Sequence, residues 1–174
     1  QQNGDGDLGV SMSEGFAAAA RFVEETQETD LGKLLMQTGG VFNEAAPSSL
    51  GTIISFAFMG MAKSLKGRTE AGLPEFAEAV MAGVQKIMDK AGSKPGEKTI
   101  LDSIYPAAES LLADKDGDFK EALKNAARIA AEGSESTKAM KSVHGRAAYY
   151  GEKSIGLLDG GSVVGRLIFE ALAE

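Results

Sequence analysis

The chain has no cysteine and no tryptophan, one histidine (His144), and only four prolines and three tyrosines among 174 residues. Without cysteine there is no disulfide framework, no thiol nucleophile and no thiolate zinc site, a composition that fits a reducing cytosol. One histidine leaves little room for an imidazole-based metal centre. Basic residues are in the minority: 18 Lys and Arg against 25 Asp and Glu give a formal charge of −7 and a pI near 4.9. No basic patch of the kind carried by nucleic-acid or membrane-surface binders interrupts that acidity. Long apolar runs are missing too, the longest candidate, Ile53 to Ala62, being about half of the roughly 20 residues a membrane span needs. No signal peptide is recognisable. The expectation is a cytoplasmic protein that binds neither nucleic acid nor membrane, with a single domain over residues 1–174.

Glycine, alanine and acidic residues are what the chain does have. The first stretch, Gln1-Gln2-Asn3-Gly4-Asp5-Gly6-Asp7-Leu8-Gly9-Val10-Ser11, alternates aspartates with glycines ahead of a helical pattern. Carboxylates at alternate positions on so free a backbone can turn their oxygens to a common point, which suits a hard cation such as Mg2+ or Ca2+. An Asp/Gly-rich turn without an ion accounts for the same residues.

Downstream, apolar residues recur at helical spacing between Gly, Pro and Ser breaks, and strand signals are nearly absent. Ser11 or Ser13 is expected to cap a helix to about Glu25 with Phe16, Ala19, Ala20 and Val23 inward. A second helix follows Asp30, with a break or kink open at Thr38-Gly39-Gly40. Ile53 to Leu65 reads as a central helix, apolar almost all round. Pro74 suits the first turn of a helix to about Lys90. Further helices are expected from Thr99, after Asp116-Gly117-Asp118, after Gly133-Ser134, and from Ser162 as a cap. The sum is an all-α, up-and-down antiparallel bundle of about eight helices. Two loops, one ending in Ser48-Ser49 and one in Gly160-Gly161-Ser162, offer amide donors at helix N-termini, which suit phosphate as well as ordinary capping. Arg146 could pair with a phosphate or simply be a solvated surface group.

Taken in order, Gly4-Asp5-Gly6-Asp7-Leu8-Gly9, Pro47-Ser48-Ser49-Leu50-Gly51-Thr52, Pro95-Gly96-Glu97-Lys98-Thr99-Ile100-Leu101-Asp102, Gly145-Arg146-Ala147-Ala148-Tyr149-Tyr150-Gly151-Glu152-Lys153-Ser154-Ile155-Gly156 and Asp159-Gly160-Gly161 resemble the DhaL nucleotide-binding subunits of dihydroxyacetone kinases. The likeness covers essentially the whole chain. It implies an eight-helix barrel whose first helix lies upstream of Gln1, with the loops at 4–11, 47–52, 92–99 and 159–162 gathered at one end.

The resemblance also implies Mg2+ at Asp5 and Asp7, with a third family aspartate falling before Gln1. ADP or ATP would be bound by Leu8, Gly9, Val10, Ser11, Ser48, Ser49, Leu50, Gly92, Ile100, Arg146, Asp159, Gly160 and Gly161. In the family a separate DhaK-like subunit holds the ketose that receives phosphate. In phosphotransferase-dependent members a DhaM-like protein rephosphorylates the nucleotide in place. A homodimer is left open, and no residue of this chain is expected to act as a covalent catalyst. The sequence departs from the family at Leu8, where the family has histidine, at 47–52, where it has Gly-Gly-Ala-Ser-Gly-Pro, and at Gly160, where it has proline. A second reading is a non-catalytic lipid-binding or regulatory module on the same barrel, as in fatty-acid-kinase-like proteins.

Overall fold

Seven α-helices and two 3-10 segments make up the computed structural model, which describes residues 8–144 and 146–174. The α-helices are α1 (Leu8–Glu25), α2 (Leu31–Ala45), α3 (Ser49–Ser64), α4 (Leu73–Ala91), α5 (Leu101–Ala113), α6 (Phe119–Ser136) and α7 (Gly160–Leu172). The 3-10 segments are Thr137–Ala139 and Arg146–Ser154, and there is no strand among the described residues. The chain divides into two compact units, one ending at Gly92 and one beginning at Ser93.

In the first unit α1 packs on α2, α2 on α3 and α3 on α4, through connections short enough to make each pair antiparallel. Asp30 caps α2, its carboxylate accepting from the Lys33 amide at 3.1 Å and from the Gly67 amide at 3.1 Å. The bond from Lys33 leads the effects that hold this carboxyl below its ordinary value. Because Leu31 N also donates to Arg68 O at 2.7 Å, the α1–α2 and α3–α4 connections are tied together. Phe42, fully buried, meets Phe16 edge-on at 4.9 Å between ring centres and Phe58 at 5.9 Å.

Small residues set how closely these helices approach. Gly39 does not break α2: a β-carbon there would lie 2.7 Å from Cβ of Phe58, so the glycine is a packing site on α3. A β-carbon on Gly83 of α4 would stand 2.8 Å from the Ala57 carbonyl oxygen of α3. Two further expectations shift. Helix α1 is already running at Leu8, so Ser11 and Ser13 lie inside it and cap nothing. Its buried residues are Met12, Gly15 and Ala19, whereas Ala20 and Val23 are exposed. The inward face is thus set by glycine fitting against the Phe42 ring, a choice that hydrophobicity alone does not register.

In the second unit α5 packs on α6 and α7, and α6 on α7. Asp118 caps α6 by accepting from the Glu121 amide at 2.9 Å. Pro106 sits inside α5 and has no N–H to give the carbonyl of Asp102, four residues back. Gly133 of α6 lies against that same carbonyl, with no space for a β-carbon beside it. One helix's missing donor is therefore matched by the other's missing side chain. No separate α-helix follows Gly133-Ser134, since α6 runs through both and tightens into the 3-10 turn at Thr137–Ala139.

Gly133→Ala should therefore lower stability by about 1–3 kcal/mol, the cost of overpacking, seen as a lower urea midpoint at unchanged slope. Gly40→Ala, at an exposed helical position with nothing within 4 Å of the new atom, should be neutral or stabilising by up to about 1 kcal/mol. A Gly133→Ala protein as stable as the parent would refute the close-contact account of α5 and α6.

Candidate functional site

The first unit brings two of the expected segments together. Ser48 is the N-cap of α3, its Oγ accepting from the Gly51 amide at 3.0 Å while its carbonyl accepts from the Thr52 amide at 3.0 Å. Ser11, in the first turns of α1, donates its hydroxyl to Ser48 Oγ at 3.1 Å across 37 residues of sequence. The N-terminal end of α1, with Leu8, Gly9, Val10 and Ser11, is thereby fastened to the start of α3. The amides of Ser49 and Leu50 belong to a first helical turn and have no acceptor within the helix. Gly51 is buried against the Ala46 carbonyl, which fixes the tight entry into α3. Asp5 and Asp7, expected to hold the metal, lie outside the described residues, and no group of three or more His, Cys, Asp or Glu suited to a metal occurs among the described ones. Gly92 is the left-handed C-cap of α4 at φ 65°, exposed at the end of the unit.

The second unit builds its site around the loop before α5. The helix expected from Thr99 runs from Leu101, and Thr99 lies in the turn before it: its Oγ1 accepts from Leu101 N at 3.1 Å, and Asp102 reaches back to accept from Thr99 N at 2.9 Å. The other oxygen of Asp102 accepts from Gly96 N at 2.7 Å, so one carboxylate shapes the whole loop. Between them Lys98 adopts φ 62°, the one non-glycine residue with positive φ among the described residues, and is buried. Its Nζ donates to the carbonyls of Met140 at 3.3 Å, Ser154 at 2.6 Å and Leu157 at 2.5 Å. Burial lowers its pKa from the ordinary lysine value, and the negative charge of Asp159 opposes that shift.

Asp159, not Ser162, caps α7, its Oδ2 accepting from Ser162 N at 2.7 Å. Ser162 instead faces inward, donating its hydroxyl to the Asp159 carbonyl and meeting Ser134 Oγ at 3.0 Å. Burial is the leading effect on the Asp159 carboxyl and pushes its pKa up to about 6, with the nearby Asp102 adding to it and the Ser162 amide and Lys98 opposing. Gly160 and Gly161 form the first turn of α7, and a β-carbon on Gly161 would lie 3.3 Å from Ile100 N. Ile100 and Gly161, both expected at the site, are thus adjacent. Arg146 begins the 3-10 segment that ends at Ser154; the contact expected of its guanidinium falls outside what is described. His144 is an exposed residue that pairs with Glu97, Nε2 to Oε2 at 3.0 Å.

Lys98 and Asp102 received no individual role from sequence reasoning. Thr99-Ile100-Leu101-Asp102 has the Ser/Thr-x-x-Asp form of a capping box, which was a sufficient signal for Asp102. Nothing local marks Lys98, because its three acceptors are main-chain carbonyls 42 to 59 residues away.

The DAK2 domain family matches residues 2–174. The PEP-dependent dihydroxyacetone kinase 1 ADP-binding subunit DhaL of Listeria innocua is 30% identical over 176 residues, covering all of this chain and 83% of that subunit. The corresponding ADP-binding subunit DhaL of Escherichia coli is 28% identical, over 98% of this chain and 82% of the subunit. L-erythrulose 1-kinase of Mycolicibacterium smegmatis is 30% identical over 98% of this chain, but the chain spans only 30% of that protein's length. Among solved structures, the dihydroxyacetone kinase from C. freundii in complex with AMP-PNP and Mg2+ superposes with a TM-score of 0.72 at 26% identity, over 97% of this chain and 28% of that one. With nearly every residue matched and the all-α fold shared, the chain belongs to the DAK2 domain family, alongside the DhaL subunits of dihydroxyacetone kinases.

Proposed function

We propose that this chain is the Mg-ADP/ATP-binding subunit of a dihydroxyacetone-kinase-like phosphotransferase, passing a phosphoryl group to a short ketose held by a separate subunit. The observation that carries the proposal is the fastening of the α1 start to the α3 start through Ser11 and Ser48, in a family whose relatives are named for ADP binding. Two helix starts supply amide donors, and the positive ends of two helix dipoles favour a phosphate. Leu8, Gly9, Val10, Ser11, Ser48, Ser49 and Leu50 of the first unit are the proposed phosphate contacts. Gly92, Ile100, Arg146, Asp159, Gly160 and Gly161 are further proposed nucleotide contacts.

Asp5 and Asp7 have the hard carboxylate oxygens that Mg2+ takes. A bound Mg2+ would neutralise charge on the nucleotide phosphates as the terminal group transfers. The residues of this chain then hold the nucleotide, and the acceptor hydroxyl is aligned by the partner. A DhaK-like subunit is the proposed partner, and a DhaM-like protein the proposed donor for rephosphorylation, in keeping with the PEP-dependent relatives. The cytoplasm is the proposed compartment, and no described helix is long and apolar enough to cross a membrane. No observation favours a lipid inside the first unit, where the Phe42 ring packs against those of Phe16 and Phe58.

Asp5→Asn or Asp7→Asn should abolish Mg-dependent ADP binding and leave the helical circular dichroism unchanged. Titration calorimetry with and without Mg2+ decides this, and unchanged affinity in either variant would return the Gly4-Asp5-Gly6-Asp7 stretch to an ordinary turn. The chain by itself, given ATP, Mg2+ and dihydroxyacetone or other short ketoses, should phosphorylate nothing. Turnover at ordinary kinase rates of about 1 to 100 per second would contradict the two-subunit reading.

Asp159 also gives a pH signature. Its folded pKa of about 6 lies above the ordinary 3.8, so between those values the folded chain keeps a proton that the unfolded chain has released. The contribution is full below about pH 4 and is lost as pH rises through 6, an effect on the order of 3 kcal/mol at most. Thermal midpoints from pH 4 to 7 should therefore fall more steeply in the parent than in Asp159→Asn. Parallel curves would show that the carboxyl is not perturbed.

A further inference from the structure

We propose that Lys98 is a positioning residue of the nucleotide site: its ammonium, seated among three main-chain carbonyls, fixes the segment running from Met140 past Arg146 to the Asp159–Gly161 turn. This rests on the nucleotide-binding reading above.

The argument begins with the acceptors. Met140 precedes the 3-10 segment Arg146–Ser154, Ser154 ends it, and Leu157 lies two residues before the α7 cap, so the three bonds grip both ends of one stretch. An ammonium has three N–H groups and three carbonyls receive them, whereas a neutral amine has one donor too few. No carboxylate takes any of these donors, so the charge is used to hold backbone and not to form an ion pair. Lys98 also keeps a left-handed backbone at φ 62°, a conformation that persists in a lysine only when surrounding contacts over-determine it.

Other bonds run within this stretch or back to the 3-10 turn that ends α6: Ser142 N to Ser154 Oγ at 3.0 Å, Gly156 N to Lys138 O at 2.6 Å, and Asp159 N to Thr137 Oγ1 at 3.0 Å. They shape the stretch but do not place it against the loop before α5. His144 and Glu97 make a second tie to that loop, with 40% of the histidine side chain exposed, where ion pairs contribute little. Lys98 is a buried tie between the loop before α5 and this stretch, beside the direct packing of α7 on α5. It therefore anchors both ends of the 3-10 segment next to Ile100 and the Gly160-Gly161 turn.

The test uses the full chain and Mg-ADP titration calorimetry. Lys98→Met, which keeps an unbranched side chain and removes charge and donors, should weaken Mg-ADP by at least tenfold. Lys98→Ala should do the same and recover affinity with added n-propylammonium, which replaces the atoms removed, but not with tetramethylammonium, which has no donor. Leu111→Ala, a core truncation in α5 of the same unit, should lower the thermal midpoint and leave the affinity unchanged. As a measurement independent of any variant, 15N-detected lysine NH3+ spectra of the parent should show one slowly exchanging ammonium that shifts on adding Mg-ADP, because Lys98 is the one buried lysine among the described residues. Lys98 variants binding within twofold of the parent, affinity lost equally in Leu111→Ala, or no protected ammonium would each overturn the proposal alone. A parent chain that binds no Mg-ADP would overturn the nucleotide reading itself.

Discussion

The start of an α-helix carries amide groups that the helix cannot satisfy, and much of this fold follows from how the chain meets that demand. Asp30, Ser48, Asp118 and Asp159 each accept one such amide, at the third position into α2, α3, α6 and α7. Each cap fixes the angle at which the preceding connection enters its helix. At α3 and α7 the amides left over belong to Ser49 and Leu50 and to Gly160, and these are the places where an anion has most to gain. The loops before these helices are thus shaped by their caps.

The acidity of the chain is not at odds with binding a phosphate. A protein with a formal charge of −7 lacks the basic surface that nucleic acid requires, but a mononucleotide can be held by main-chain amides and by a cation on carboxylates. The buried cation of the second unit adds nothing to the surface charge: Lys98 gives all three of its donors to carbonyls. Asp159 shows the opposite side of this economy, a carboxyl raised to about 6 because burial costs it more than the α7 amide and Lys98 return.

Helical periodicity made most of the fold legible. The α2, α4 and α6 starts at Asp30, next to Pro74 and at Asp118 follow from caps and proline rules that act within three residues. Failures came where tertiary contact decides. Gly39 reads as a break until Phe58 is seen against it, and Val23 reads as core until Gly15 is seen to turn the other face of α1 toward Phe42. Ser162 was the natural cap by residue type, but Asp159 stands three residues earlier and its longer carboxylate reaches the amide. At the site, the Ser48 cap and the Asp159–Gly161 turn were legible as helix starts, whereas the Ser11–Ser48 bond and the Lys98 cage join residues at least 37 apart and leave no local pattern.

The most direct test of the central claim, the proposed binding of nucleotide at helix starts, is amide hydrogen exchange of the full chain with and without Mg-ADP. Protection is predicted at residues 8–11, 48–52, 96–100 and 159–161, with little change in the middles of α2, α4 and α6. Protection absent from those segments, or concentrated around the α3–α4 connection at 65–72, would contradict the account.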